Sequence, residues 1–177
     1  VSTDEVLPAG NSMTRWTDLA YMRSLSFARV DSTYVERAGR ASRGHAIVGG
    51  SNYGQGSSRE HAALAPRWLG LRVVIARDIA RIHFANLANA GVLPLTFRDP
   101  DDYDRIGQGD RLQLTNLREC LENGREIEAL NVSTNHRIAL VQELSARQRE
   151  QVLAGGAVEW MREKLGARGL DTERGMN

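Results

Sequence analysis

The chain has 177 residues, 41% of them hydrophobic and 25% charged, which is enough apolar content for one well-buried core. The formal charge is +1, and 22 of the 23 basic residues are arginine, so no nucleic-acid or polyanionic-surface footprint stands out. No apolar run approaches the roughly 20 residues that span a bilayer. The single Cys120 excludes an intrachain disulfide and any Cys-x-x-Cys metal or cluster site.

No signal peptide is visible, and a start at Val1 reads as a processed chain or a cut-out domain. Val1 to Gly10 reads as an extended lead-in with a turn at Pro8-Ala9-Gly10. Weak helical spacing runs from Thr17 to Leu25. A short helix is predicted over Thr33 to Gly39, N-capped by Asp31 or Ser32 and stopped by Gly39. Ala46 to Gly49 is predicted to be a buried strand. Ser58 to Ala65 reads as a helix bounded by Pro66, which lacks an N–H and disfavours helix just before itself. Arg72 to Ala76 is a second strand. Ile79 to Ala90 is an amphipathic helix ended by Gly91, and Val92 to Phe97 is a third strand.

That alternation argues an α/β fold with a parallel or mixed sheet flanked by helices. The second half differs. Asp99 to Ile106 forms an acidic helix or turn. Arg111 to Leu114 and Glu126 to Val132 read as short strands, and His136 to Gln142 pairs with them. Ser145 to Gly155 has a helical N-cap and a glycine stop, and Ala157 to Leu165 adds a last helix. One domain over residues 1–165 is expected, followed by a flexible polar tail at 166–177.

The informative segment is Gly50 to Glu60, GSNYGQGSSRE. A glycine-rich loop between a strand and a helix aims backbone N–H groups and a helix N-terminus at one point, where an anion is stabilised. Arg59 adds a fixed charge able to grip a carboxylate with two hydrogen bonds. Ser57 and Ser58 have two open readings: helix caps, or hydroxyls presented to a bound anion. Serine is a poor base at its free pKa, so a catalytic role needs strong local stabilisation of its alkoxide. Gly54 and Gly56 supply positive φ or close backbone approach. Glu60 and His61 read as structural. His45, His83 and His136 lack ligand spacing, and Cys120 reads as a packed thiol.

NYGQGSSREHAALAPRWLG resembles the C-terminal swivel domain of the aconitases, iron–sulfur hydro-lyases that interconvert citrate and isocitrate. STDEVLPAG, ARIHFANLANAGVLPLTF and ELSARQREQVLAGG resemble other blocks of the same domain in the same order, so the resemblance spans about Ser2 to Leu165. It implies a swivelling β/β/α fold docked over a larger body that carries a 4Fe-4S cluster. The cluster ligands lie outside this chain, and one cluster iron acts on the substrate as a Lewis acid. The implied partners are the cluster-bearing domains and a tricarboxylate substrate. The implied setting is the tricarboxylic acid cycle in the cytoplasm, with no membrane or nucleic acid involved.

By resemblance Ser57 is the catalytic base, Ser58 and Arg59 bind substrate carboxylate, and Asp4 belongs to the charged network of the active site. From the residues alone, Asp4 is just a solvated carboxylate. A second arginine clamp is implied after the Ala9-Gly10 turn. Arg15 lies near the expected spacing, with Arg23 as the fallback. Arg81 and His83 belong to an Ala-Arg-Ile-His stretch that reads as packing and interdomain contact. Alone, this chain is expected to be inactive. The alternatives are the small subunit of isopropylmalate isomerase, whose loop usually has Phe and Cys in place of Tyr53 and Gln55, a related hydro-lyase such as a homoaconitase or methylcitrate-type dehydratase, and a non-enzymatic anion-binding regulatory module.

Overall fold

A computed structural model describes residues 1–10 and 15–174. Its centre is a six-stranded mixed sheet with strands β1 (His45–Gly49), β2 (Leu71–Ala76), β3 (Leu93–Phe97), β4 (Leu112–Leu114), β5 (Ile127–Asn131) and β6 (His136–Val141). The order across the sheet is β1-β2-β3-β6-β5-β4. β1, β2 and β3 run parallel, and β6, β5 and β4 continue antiparallel from β3. Helices α4 (His61–Trp68) and α5 (Arg81–Asn89) make the two parallel crossovers, as parallel pairing requires. The fold class is therefore the expected mixed α/β. β1 is an edge strand and only partly buried, where full burial was expected.

Alternation along β2 divides the core. Val74 and Ala76 face a cluster containing Val6, Met22, Tyr34, Ala62 and Leu87. Val73 and Ile75 face the opposite cluster, with Leu95, Leu121, Ile138 and Leu140. The first cluster is covered by α1 (Thr3–Val6), α2 (Leu19–Ser24), α3 (Tyr34–Arg40) and α4. The second is covered by α6 (Leu117–Glu122) and α7 (Ala146–Ala154). Full burial of each Val, Leu, Ile or Met among them contributes about 1.5–3 kcal/mol. Among the described residues no helix is long and apolar enough to cross a membrane.

Five local expectations change. The extended lead-in contains α1, because Ser2 and Glu5 form a reciprocal capping box. α3 runs through Gly39 and lacks a side-chain cap. Asp31 instead accepts from the Thr33 N–H and hydroxyl. α4 begins at His61 and continues through Pro66. Burial of Ala62, Ala63, Ala65 and Pro66 along one helix outweighs the local preference against an internal proline. α6 was not foreseen, and its N-cap Asn116 takes a left-handed conformation. The last helix, α8 (Ala157–Arg174), extends beyond the Leu165 end expected for it. Residues 11–14, which follow the Ala9-Gly10 turn, and residues 175–177 of the expected tail lie outside the described residues.

α7 ends as predicted. Gly155 is left-handed at φ 94, and the Gly156 N–H reaches the Gln151 carbonyl at 2.8 Å. Gly91, at φ 74, lies so close that an added Cβ would stand 2.2 Å from the Gly155 oxygen. Gly91→Ala is expected to destabilise the fold by at least about 2 kcal/mol, read as a fall in thermal midpoint. An unchanged midpoint would contradict this packing.

Candidate functional site

β1 runs into the loop 50–60 at Gly49, and the loop is tied down on two sides. The Asn52 N–H donates to Asp78 Oδ1 at 2.7 Å and the Tyr53 N–H to the Asp78 carbonyl at 3.0 Å. The Ala80 N–H donates back to the Tyr53 carbonyl at 2.9 Å. On the other side the Gly54 N–H reaches the Val1 carbonyl at 2.7 Å, and the Thr3 N–H reaches the Gln55 carbonyl at 2.8 Å. The Thr3 hydroxyl donates to the Ser57 carbonyl at 3.0 Å. The Tyr53 ring is buried beneath the loop, and burial raises its pKa far above the ordinary tyrosine value. Gly54 and Gly56 take φ values of 78 and 108, as the sequence suggested.

The two readings of the serine pair separate here. α4 starts at His61 with Glu60 at the N-cap and no side-chain cap bond, so neither serine caps it. Ser57 and Ser58 are exposed and line a cleft of about 470 Å³ with Thr3, Gly54, Gly56, Ala80, Arg81 and Ile82. His83 and Asn86 also line it. Among the described residues no backbone N–H from Gly56 to Glu60 donates to a protein acceptor. Such a run of unpaired donors beside two free hydroxyls is the arrangement that binds an oxyanion or carboxylate.

Arg59 is held from behind. Its Nη1 donates to Asp4 Oδ1 at 2.8 Å and to the Leu7 carbonyl at 2.9 Å. Both Nη1 hydrogens are thereby used, leaving the Nε and Nη2 donors without a partner among the described residues. Asp4 also accepts from the Ala9 N–H at 2.9 Å and from Arg29 Nη1 at 2.7 Å. Although its side chain is 41% exposed, Asp4 is therefore not an isolated carboxylate but the shared acceptor that braces Arg59. The Ala9 N–H, then Arg59, hold the Asp4 pKa below its ordinary 3.8. A lowered carboxylate pKa gives stability that is present above the unfolded value and lost as pH falls through the folded one. Acid loosening of the Arg59 contacts is accordingly expected below pH 3.8. Asp4→Asn should flatten the acid side of a thermal-midpoint profile, and an unchanged acid limb would contradict the bracing role.

Arg15 is placed elsewhere. Its Nη2 pairs with Asp18 Oδ2 at 2.6 Å, its guanidinium lies 4.4 Å from the Tyr21 ring centroid, and it does not line the cleft. Arg23 is exposed on α2. The structure thus pairs Asp4 with Arg59, next in the chain to the cleft-lining Ser57 and Ser58 though not itself a lining residue, and leaves Arg15 in a separate ion pair. Thr3, Ile82, His83 and Asn86 were not foreseen as lining residues. The strand–loop–helix pattern could not reveal them, because α1 and α5 reach the loop only through tertiary packing. Among the described residues no three His, Cys, Asp or Glu side chains gather as a metal site.

A family model described as the aconitase C-terminal domain matches residues 29–100, which include the serine loop, α4, β2, α5 and β3. Residues 29–100 of the chain are thus an aconitase C-terminal domain. The chain is similar to a putative mitochondrial aconitate hydratase of Emericella nidulans, 39% identical over 163 residues, covering 89% of this chain and 20% of that protein. It is also similar to the mitochondrial homocitrate dehydratase of Saccharomyces cerevisiae, 38% identical over 122 residues, covering 65% of this chain and 16% of that one. This aconitase-type chain thus spans about a fifth or less of the length of these relatives. Among solved structures, 3-isopropylmalate dehydratase from Methanocaldococcus jannaschii is similar with a TM-score of 0.77 and 29% identity. That match covers 97% of this chain and 92% of that one. In that dehydratase, then, nearly the whole chain corresponds to this aconitase domain.

Proposed function

We propose that this chain is the swivel domain of an aconitate hydratase, bringing Ser57 as the base and Ser58 and Arg59 as carboxylate ligands to a tricarboxylate. The observation that carries this reading is the serine pair, uncommitted to any helix cap and set beside unpaired loop amides and an arginine braced by Asp4. Ser57 takes a proton from a carbon next to a substrate carboxylate. The negative charge that develops is stabilised by the loop N–H groups and by the donors of Arg59 that face away from Asp4. Ser58 and the loop amides fix the orientation of the carboxylate.

The residues of this chain do not fit a 4Fe-4S cluster, because Cys120 is its single cysteine. The cluster and its ligands belong to the larger body over which the domain docks, in the same or a separate chain, and the isolated domain is inactive. Exposed Ile82, at the edge of the cleft, is suited to that docking. The names of the relatives place them in mitochondria, so a matrix enzyme stands beside the cytoplasmic one expected from sequence. Either enzyme would act in the tricarboxylic acid cycle.

Substrate choice is tested by assaying the complete enzyme with citrate, homocitrate and 3-isopropylmalate, following the alkene product by ultraviolet absorbance. Turnover of citrate above the other two is expected. Preference for 3-isopropylmalate would assign the chain to the isopropylmalate dehydratases, and binding without turnover of any would favour an anion-binding module.

A further inference from the structure

His83 lies on the inner side of α5 with 1% of its surface exposed. Neither ring nitrogen has a hydrogen-bond partner among the described residues, and burial pushes the pKa down to about 4, so the ring is neutral near pH 7. Buried polar atoms without partners cost stability, and an apolar ring of the same size would avoid that cost. The contacts of the ring show what it supports. The Tyr53 ring is tilted against it with centroids 5.5 Å apart. The Gly54 backbone rests directly on it: a Cβ added to Gly54 would stand 2.2 Å from His83 Cδ2 and 2.3 Å from Cγ. Two residues separate Gly54 from Ser57, and His83 and Ser57 line the same cleft.

We infer that His83 is a positioning residue for the serine loop. Its ring is the platform that sets the height of Gly54, and through Gly54 the placement of Ser57 and the unpaired loop amides over the cleft. The platform works by the shape of the ring and not by its nitrogens, which have no hydrogen-bond partner among the described residues. The effect on turnover rests on the reading of Ser57 as the base, whereas the effect on loop rigidity does not.

The test compares His83→Phe and His83→Ala in the complete protein. The readouts are amide hydrogen exchange at Thr3, Tyr53 and Gly54, exchange at Val74 and Ile75 in β2, and kcat and KM for citrate. His83→Ala is expected to speed exchange at the loop amides tenfold or more, to leave β2 unchanged, and to lower kcat about tenfold with KM little altered. His83→Phe is expected to restore both exchange and kcat. A phenylalanine variant as defective as the alanine one would overturn the inference, because the nitrogens would then be doing the work. An alanine variant matching the parent, or exchange rising equally in β2, would overturn it too. Local loop exchange that rises in a protein without turnover would uphold the platform and remove only Ser57 as the base.

Discussion

Ser57→Ala is expected to lower kcat by roughly three orders of magnitude and to leave KM within a few-fold. Proton transfer is felt only in the transition state, so loss of the hydroxyl removes stabilisation that the bound substrate never had. The fold should be unaffected. Ser57 caps no helix, its side chain is exposed, and its one tie to the N-terminal segment is made by its backbone carbonyl, which alanine keeps. A thermal midpoint equal to the parent therefore accompanies the predicted loss. Ser58→Ala provides the contrast: KM rises and kcat falls far less, as suits a ligand of the ground-state carboxylate. A Ser57→Ala enzyme retaining most of its kcat would move the base to another residue.

Arg59→Lys is expected to lower kcat/KM by roughly a hundredfold, about 2.7 kcal/mol. An ammonium cannot donate to Asp4 and the Leu7 carbonyl while also keeping a planar pair of donors, as the Nε and Nη2 of Arg59 are, for a carboxylate. Asp4→Asn keeps the guanidinium but slackens its brace, so a loss of about tenfold is expected there. Arg15→Lys should have little effect if Arg15 stays engaged with Asp18 and Tyr21, and a large one if it acts as the second carboxylate clamp that the resemblance implies. If Arg15→Lys proved as damaging as Arg59→Lys, the segment carrying Arg15 would have to move to the cleft in the assembled enzyme.

The sheet was legible from short-range pattern. Runs such as Val73-Val74-Ile75 and Leu93-Pro94-Leu95 are apolar on both faces because both faces of the sheet are covered, and every strand expected from the sequence is present. Helix starts were legible where the side chain speaks for itself, as at Ser145 with Gln148. The same signal at Ser2 and Glu5 was present in the sequence, but the Pro8-Ala9-Gly10 turn suggested extended chain. Pro66 shows the opposite failure: a strong local breaker was overruled by buried packing that no local pattern encodes. The anion loop was legible because its glycines, serines and arginine are adjacent. The link from Asp4 to Arg59 and the seat of Gly54 on His83 join residues far apart in sequence, and composition and spacing carry no trace of them.

The central claim is that the loop from Gly54 to Arg59 binds a tricarboxylate. Titrating citrate into the chain while following backbone amide chemical shifts tests this most directly. On the proposed reading that the remaining ligands are held by the rest of the enzyme, millimolar affinity, about −4 kcal/mol, is expected. Shifts should concentrate on Gly56, Ser57, Ser58 and Arg59 and disappear in Arg59→Lys. Shifts centred on α2, or none at all at high citrate, would contradict the account.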